Sequence, residues 1–175
     1  MRLFVSINFN DETRERLVGL QNELRKGAVC GRFVTGENLH LTLAFLGDCD
    51  SKQIAIAKAV LGEMDFEPFG IVIDNIGRFR RDGGDIWWAG VANNRDLLRV
   101  QKILTDKLAA AGFKLDKRKY SPHITLGREV VTRDGFVPRQ PLAFGEEVLM
   151  IELMRSERRD GKMVYTPICC KEVQV

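Results

Sequence analysis

The chain opens on a segment in which every second residue is aliphatic. This period of two over residues 2–8 predicts a strand with one strongly apolar face, formed by Leu3, Val5 and Ile7. Further short apolar runs, bounded by turn residues, have the composition typical of strands. They lie at 39–46, 69–73, 86–91, 123–127, 148–153 and 163–166. The last two flank Asp160-Gly161, a pair that favours a hairpin turn.

Apolar residues at spacings of three and four predict three helices. In the first helix, Leu17, Leu20 and Leu24 lie among charged side chains, and Gly27 is placed to end it. Asp50 is placed to cap the second helix. The predicted helices cover about 11–26, 50–62 and 94–111. Three helices and seven or more strands in alternating order predict a mixed α/β or α+β domain, which we expect to cover residues 1–175.

The same four-residue phrase occurs twice and contains both histidines of the chain. In an extended strand residues i and i+2 share a face, so each phrase would present an imidazole and a hydroxyl on one side. The aliphatic side chains between them would be buried on the other side. Each phrase follows a predicted strand and helix, which indicates two similar lobes facing each other across a cleft. The phrases read His40-Leu41-Thr42-Leu43 and His123-Ile124-Thr125-Leu126.

A pair of imidazole and hydroxyl groups suits the chemistry of a phosphate ester. Because histidine titrates near neutral pH, one neutral and one protonated ring can act as base and acid in an in-line displacement at phosphorus. Threonine hydroxyls can donate to the non-bridging oxygens. Two histidines with no cysteine or carboxylate at ligand spacing are too few for a zinc site, which takes three or four protein ligands. We therefore predict catalysis by His40 and His123 without metal or cofactor.

Composition narrows the class of protein without naming a partner. The content of 45% hydrophobic and 29% charged residues is that of an ordinary soluble domain, and the net charge of +3 is too small to indicate nucleic acid by itself. No segment approaches the ~20 apolar residues of a membrane span. The four cysteines include no CxxC pair and two are adjacent. We expect a cytoplasmic, monomeric protein with reduced thiols and no membrane partner.

The segments around both phrases resemble a known family, the two-histidine (2H) phosphoesterases. Within that family they are most similar to the RNA 2′,3′-cyclic phosphodiesterases, first named 2′-5′ RNA ligases. The resemblance runs nearly end to end, and the two histidine strings are specific to it. One departure is Arg32-Phe33, where many relatives have Arg-Trp. The matching segments are 2–7, 36–47, 121–128 and 165–167.

The resemblance implies an α+β fold of two pseudo-symmetric, intertwined lobes, in which two antiparallel sheets line a central cleft and the helices lie outside. It implies metal-independent opening of a 2′,3′-cyclic phosphate on RNA or a nucleotide to give a 2′-phosphomonoester, together with reversible 2′-5′ RNA ligation. By analogy His40 would be the general acid on the departing 3′ oxygen and His123 the base on water. Thr42 and Thr125 would hold phosphate oxygens, and Arg128 would bind a phosphate or the adjoining backbone of the substrate.

Two alternatives stay open at the level of sequence. The first is an enzyme that hydrolyses another small cyclic phosphate, such as an ADP-ribose cyclic phosphate, and a comparison of turnover on the two substrates would separate it. The second is a noncatalytic module that binds RNA or a nucleotide. Intact threonines beside both histidines argue against the module, and tight binding without product would support it.

Overall fold

Regular elements make up most of residues 1–173, the part of the chain that the computed structural model describes. This part contains three α-helices, nine strands and a 3₁₀ turn at Gly36–Asn38. The helices are α1 (Asp11–Arg25), α2 (Ser51–Gly62) and α3 (Arg95–Ala110). The strands are β1 (Arg2–Asn8), β2 (Ala28–Phe33), β3 (His40–Asp48), β4 (Phe69–Phe79), β5 (Asp85–Val91), β6 (His123–Thr132), β7 (Phe144–Val148), β8 (Met150–Arg159) and β9 (Lys162–Glu172).

Side-chain caps begin all three helices. Asn10, Asp50 and Asn94 each accept a hydrogen bond from the backbone N–H three residues later, at 2.8, 2.8 and 2.9 Å. These bonds satisfy N–H groups that the first turn of a helix leaves without a partner. In α2 the side chain of Gln53 bonds back to the N–H of Asp50, which completes a capping box. The helices therefore lie where the apolar spacing predicts them.

The strands form two antiparallel sheets. A four-stranded sheet in the order β3-β1-β8-β9 joins the two ends of the chain, and a five-stranded sheet in the order β2-β6-β5-β4-β7 contains the middle. Since β2 lies between β1 and β3 in sequence but pairs with β6, the chain passes from one sheet to the other and back. The two antiparallel sheets expected from the family resemblance are confirmed.

The two histidine phrases begin the strands β3 and β6, and these strands meet where the sheets meet. β3 is the edge strand of the four-stranded sheet. The ladder between β2 and β6 runs from Ala28 opposite Thr132 to Phe33 opposite Gly127, so it stops short of the histidine end of β6. β3 and β6 contact each other although they belong to different sheets, and the segment just before β6 bonds the backbone of Thr42 in β3. Each sheet thus brings one phrase to the same junction.

The apolar run predicted as one strand over 148–153 belongs to two strands, and this prediction was wrong. β7 ends at Val148 in the five-stranded sheet, and β8 begins at Met150 in the four-stranded sheet. Leu149 between them is the crossover. The run reads as continuous because strands in both sheets bury apolar side chains on the core side, so hydrophobicity does not mark the change of sheet.

The strand predicted over 69–73 is longer than its apolar run. β4 continues as far as Phe79, which pairs with Ile86 of β5. Among residues 74–79 only Ile76 is buried, so the apolar alternation is interrupted before the ladder ends. This extension carries Phe79 to the neighbourhood of the second histidine phrase.

One cluster of buried side chains joins both sheets and the helices. Leu17 of α1, Leu104 of α3, Ile124 of β6 and Leu153 of β8 are all fully buried within it. The aliphatic partners of the histidine phrases are therefore part of the core, which fixes the backbone that carries the imidazoles. Within residues 1–173 no helix combines the length and the apolar character needed to cross a membrane.

Candidate active site

The same backbone contact orients both histidines. The Nδ1 atom of His40 lies 2.7 Å from the carbonyl oxygen of Asn38, and the Nδ1 atom of His123 lies 2.7 Å from that of Ser121. A carbonyl oxygen can only accept, so each Nδ1 carries a proton and donates it. In each ring Nε2 is therefore the nitrogen that is left to exchange a proton with a substrate.

The first threonine lies directly against its histidine. The hydroxyl oxygen of Thr42 is 2.9 Å from Nε2 of His40. In the neutral ring this nitrogen has no proton, so the hydroxyl donates to it. The hydroxyl can instead turn to donate to a phosphate oxygen, which frees the imidazole. Thr125 lies two residues after His123 on β6 and is half-buried like Thr42.

Aromatic side chains pack against both imidazoles. The ring of His40 lies 4.8 Å from Phe4 and 5.3 Å, edge-on, from Tyr165, measured between ring centres. The ring of His123 lies 5.1 Å, edge-on, from Phe79 and 6.4 Å from Trp88. These contacts hold each ring in place and remove water from one side of it. Both histidines therefore have a fixed direction and a poorly hydrated ring.

Burial lowers the pKa of both histidines. The bonds from Nδ1 to the backbone carbonyls of Asn38 and Ser121 act in the opposite direction, because they stabilise the charged ring. The charge of Arg128 lowers the pKa of both rings, and the charge of His123 lowers that of His40 further. Arg128 therefore acts on both rings, and the strands that carry the two histidines, β3 and β6, are in contact with each other.

Arg128 lies on the same face of β6 as His123 because of an irregularity in that strand. Simple alternation from His123 would place it on the opposite face, five residues along. However, β6 advances from Thr125 to Gly127 while the paired strand β5 advances one residue only, from Trp88 to Trp87. This extra residue turns the following Arg128 onto the face of the histidine and the threonine. The guanidinium is exposed there.

The two phrases have matching burial patterns but unequal chemistry. In both, the order is half-buried, buried, half-buried, buried, buried and exposed. The exposed sixth position is Arg128 in β6 and Phe45 in β3, whose side chain is 60% exposed. The pseudo-symmetric site therefore receives its arginine from the second half alone, and an oxyanion would meet more positive charge on that side.

A tyrosine joins the two halves at the site. The hydroxyl of Tyr120, three residues before His123, donates a 2.8 Å hydrogen bond to the backbone carbonyl of Thr42. Burial raises the pKa of Tyr120 above that of an ordinary phenol, so the hydroxyl stays protonated and keeps donating. This bond connects the segment that leads into β6 with the strand β3.

The sequence did not indicate the aromatic residues beside the histidines. Phe4 and Tyr165 come from opposite ends of the chain, and Phe79 comes from the extension of β4. Their proximity depends on sheet pairing, so periodicity gives no signal for it. The nearest available signal is position: Phe4 lies on the polar side of an otherwise alternating strand. Within residues 1–173 no three His, Cys, Asp or Glu side chains are close enough to hold a metal ion.

Comparison with known families gives one match that covers most of the chain. A family described as LigT like phosphoesterase matches residues 7–88 and 90–147. Both histidines, both threonines and Arg128 lie inside these segments.

Named relatives agree with this match. A protein of Archaeoglobus fulgidus, named RNA 2′,3′-cyclic phosphodiesterase, is 36% identical over 129 residues, which cover 73% of this chain and 72% of that protein. A protein of Escherichia coli K12 with the same name is 29% identical over 171 residues, which cover 95% and 93%. The crystal structure of Escherichia coli LigT complexed with 3′-AMP superposes with a TM-score of 0.87 at 26% identity, over 99% of this chain and 98% of that chain.

Proposed function

The chain belongs to the LigT-like phosphoesterase family, and we propose that it opens the 2′,3′-cyclic phosphate of RNA or of a nucleotide to leave a 2′-phosphomonoester. The observation that carries this proposal is the repeated orientation of the imidazoles. Both rings donate from Nδ1 to a carbonyl two residues earlier, so two Nε2 atoms remain available in one cleft. The relatives named above carry the name of this activity.

The reaction needs one proton donor and one proton acceptor. Water attacks phosphorus as its proton passes to a neutral imidazole, and the bond between phosphorus and the 3′ oxygen breaks. The departing 3′ oxygen takes a proton from a charged imidazole. The 2′ ester bond remains intact, so the product is a 2′-phosphate and a free 3′-hydroxyl. One turnover leaves the two rings with exchanged protonation states, which solvent then restores.

Residues beside the histidines would hold the phosphate. Thr42 and Thr125 can each donate a hydroxyl to a non-bridging oxygen, and Arg128 can donate two parallel N–H groups to the same anion. Arg128 becomes most valuable in the transition state, where negative charge grows on those oxygens. His40 would protonate the 3′ oxygen and His123 would accept the proton of water.

A nucleotide or an RNA end is the proposed ligand. The structural neighbour from Escherichia coli binds 3′-AMP, a ribonucleotide with phosphate on the ribose. The exposed ring of Phe45 and the aromatic pair of Phe79 and Trp88 flank the cleft, and they suit contact with a flat base. The phosphate and its ribose therefore define the proposed substrate more closely than the base does.

The product identifies the bond that breaks. Incubation with an RNA that ends in a 2′,3′-cyclic phosphate, in the presence of EDTA, is expected to give a 2′-phosphate, because the two histidines supply acid and base without a metal. Phosphorus NMR distinguishes the 2′-phosphate from the 3′-phosphate. A 3′-phosphate would refute the assigned leaving group, and rapid loss of activity on chelation would refute metal independence.

Parallel substrates separate the alternatives. An RNA end, a mononucleoside 2′,3′-cyclic phosphate and an ADP-ribose cyclic phosphate should be compared at equal concentration by kcat/KM. The proposal requires the first or second to be hydrolysed fastest. Faster turnover of the ADP-ribose compound would favour an enzyme for small cyclic phosphates. Binding without any product would favour a noncatalytic module that binds RNA or a nucleotide.

The dependence of kcat/KM on pH is expected to be bell-shaped and displaced to the acid side. The base must be neutral, so activity is lost as the pH falls through its pKa. The acid must be protonated, so activity is lost as the pH rises through its pKa. Burial and Arg128 lower both values from the ordinary value for histidine, about 6.5, so both limbs move down. A rate profile measured from about pH 4 to pH 9 tests this, and a flat profile would contradict it.

A further inference from the structure

Both histidine strands carry an extra residue at the same place. β3 advances from Thr42 to Ala44 while β1 advances one residue, so Leu43 has no register partner in β1. The corresponding step in β6 leaves Leu126 without a register partner in β5. Leu43 and Leu126 are the fourth residues of the two phrases. An extra residue of this kind bends a strand and changes the direction of neighbouring side chains, which include the threonine just before it.

A helix glutamine binds the carbonyl oxygen of each extra residue. The side-chain amide of Gln101, on α3, donates to the carbonyl of Leu43 at 3.2 Å. The side-chain amide of Gln21, on α1, donates to the carbonyl of Leu126 at 2.8 Å and to that of Val34 at 2.7 Å. Gln21 is only 2% exposed, so its amide has no water to compete for these bonds. Both bulges are therefore held by a hydrogen bond from the same type of side chain.

Each of these hydrogen bonds connects a helix of one half of the chain with the histidine strand of the other half. α1 precedes the first phrase in sequence but holds the second, and α3 precedes the second phrase but holds the first. Two unrelated contacts between a helix and a strand would not be expected to use the same residue type at the same position of the phrase. The repetition of chemistry, position and crossing points to a shared role in setting the two imidazole strands.

We propose that Gln101 and Gln21 are positioning residues, each of which fixes the bulged strand that carries one catalytic histidine: Gln101 fixes the strand of His40, and Gln21 fixes the strand of His123. Neither glutamine is placed to touch the substrate. Each holds a backbone carbonyl three residues after its histidine and one residue after its threonine. The kinetic part of this inference rests on the proposed function, whereas the effect on the histidines does not.

The lead test is Gln101→Met, because Gln101 is only half-buried and its replacement leaves the apolar part of the side chain in place. In the cyclic-phosphate assay kcat is expected to fall about 10- to 100-fold, with KM changed by no more than about two-fold, because the group acts through the strand rather than on the substrate. Gln21→Met should give a loss of the same kind. Thermal unfolding of each variant shows whether it folds.

The crossed effect can be observed without any activity. The chain has two histidines, so a protein labelled with ¹³C-histidine gives two ring Cε1 signals, which His40→Gln and His123→Gln assign. Gln101→Met should shift the signal of His40 and raise its titration midpoint toward the ordinary value as the ring gains water. The signal of His123 should stay unchanged. Gln21→Met should shift the signal of His123 in the same way and leave that of His40 unchanged.

A third glutamine supplies the matched control. The side chain of Gln140 also bonds strand backbone, since it accepts from the N–H of Ile76 at 2.8 Å, but this part of β4 carries neither phrase. Gln140→Met should leave both histidine signals and kcat within about two-fold of the wild type. The proposal is overturned if Gln140→Met has an effect as large as Gln101→Met, or if either variant shifts both histidine signals equally. It is also overturned if Gln101→Met and Gln21→Met shift neither signal.

The proposed function can fail separately from the positioning role. If the unchanged protein converts no cyclic phosphate, the proposed function is refuted, but the selective shifts of the two histidine signals still decide the role of the glutamines. If the protein is active and the shifts are absent, the positioning role of the glutamines is refuted and the proposed activity is retained.

Discussion

Replacing either histidine with alanine is expected to lower kcat for a 2′,3′-cyclic phosphate by about 10²- to 10⁴-fold, the usual contribution of one acid or base. His40 and His123 each present Nε2 to the cleft, and no other imidazole exists in the chain to substitute for either. The measurement is kcat under saturating substrate for His40→Ala, His123→Ala and the double variant. The double variant should lose little more than the worse single variant, because the two groups act in one step.

Folding must be excluded as the cause of such a loss. Both rings pack against aromatic neighbours, so removal of one ring leaves a gap beside Phe4 and Tyr165 or beside Phe79 and Trp88. His40→Gln and His123→Gln fill more of that gap, and their thermal unfolding should remain close to that of the wild type. A near-normal kcat in any of these variants would contradict the assigned acid–base pair.

A sulfur leaving group separates the acid from the base. In a substrate whose 3′ oxygen is replaced by sulfur, the leaving thiolate needs no proton, so loss of the general acid costs little. If His40 is the acid, His40→Ala should recover most of its rate on this substrate, whereas His123→Ala should remain slow. Recovery in His123→Ala instead would exchange the two roles.

The parts of the site that depend on local strand geometry could be predicted from the sequence. The i, i+2 spacing of His40 and Thr42 placed both groups on one face, and the structure shows the imidazole and hydroxyl in hydrogen-bond contact. The resemblance to two-histidine phosphoesterases is confirmed by the family match and by the solved structure of Escherichia coli LigT. The division of the strands into two sheets followed from that resemblance, whereas the hairpin of β8 and β9 followed from the Asp160-Gly161 turn.

The parts of the site that depend on register could not be predicted. Leu43 and Leu126 are ordinary apolar residues, and nothing in their identity marks them as extra residues in a ladder. The same holds for Gln101 and Gln21, which read as polar positions of amphipathic helices. Arg128 was identified by resemblance, whereas simple alternation would place it on the opposite face. Because strand pairing is irregular here, a prediction based on a period of two misses several groups that surround the histidines.

Arg128→Ala is expected to reduce kcat/KM by about 10²- to 10³-fold, the typical cost of removing one preorganised donor to a developing oxyanion. Its charge also lowers the pKa of both His40 and His123, so its removal should raise both values and move the whole pH profile of kcat/KM toward higher pH. Arg128→Lys keeps the charge and loses the paired N–H geometry. We therefore expect it to keep the wild-type profile while losing part of the rate.

Arg32 provides the matched control for this prediction. It lies directly opposite Arg128 on β2, is exposed, and bonds Glu129 rather than either histidine. Arg32→Ala removes the same charge from the same pair of strands, and it should leave both the rate and the pH profile nearly unchanged. If Arg32→Ala costs as much as Arg128→Ala, the effect is one of general positive charge on the surface. If Arg128→Ala shifts the profile without slowing the reaction, the guanidinium tunes the histidines but does not hold the phosphate.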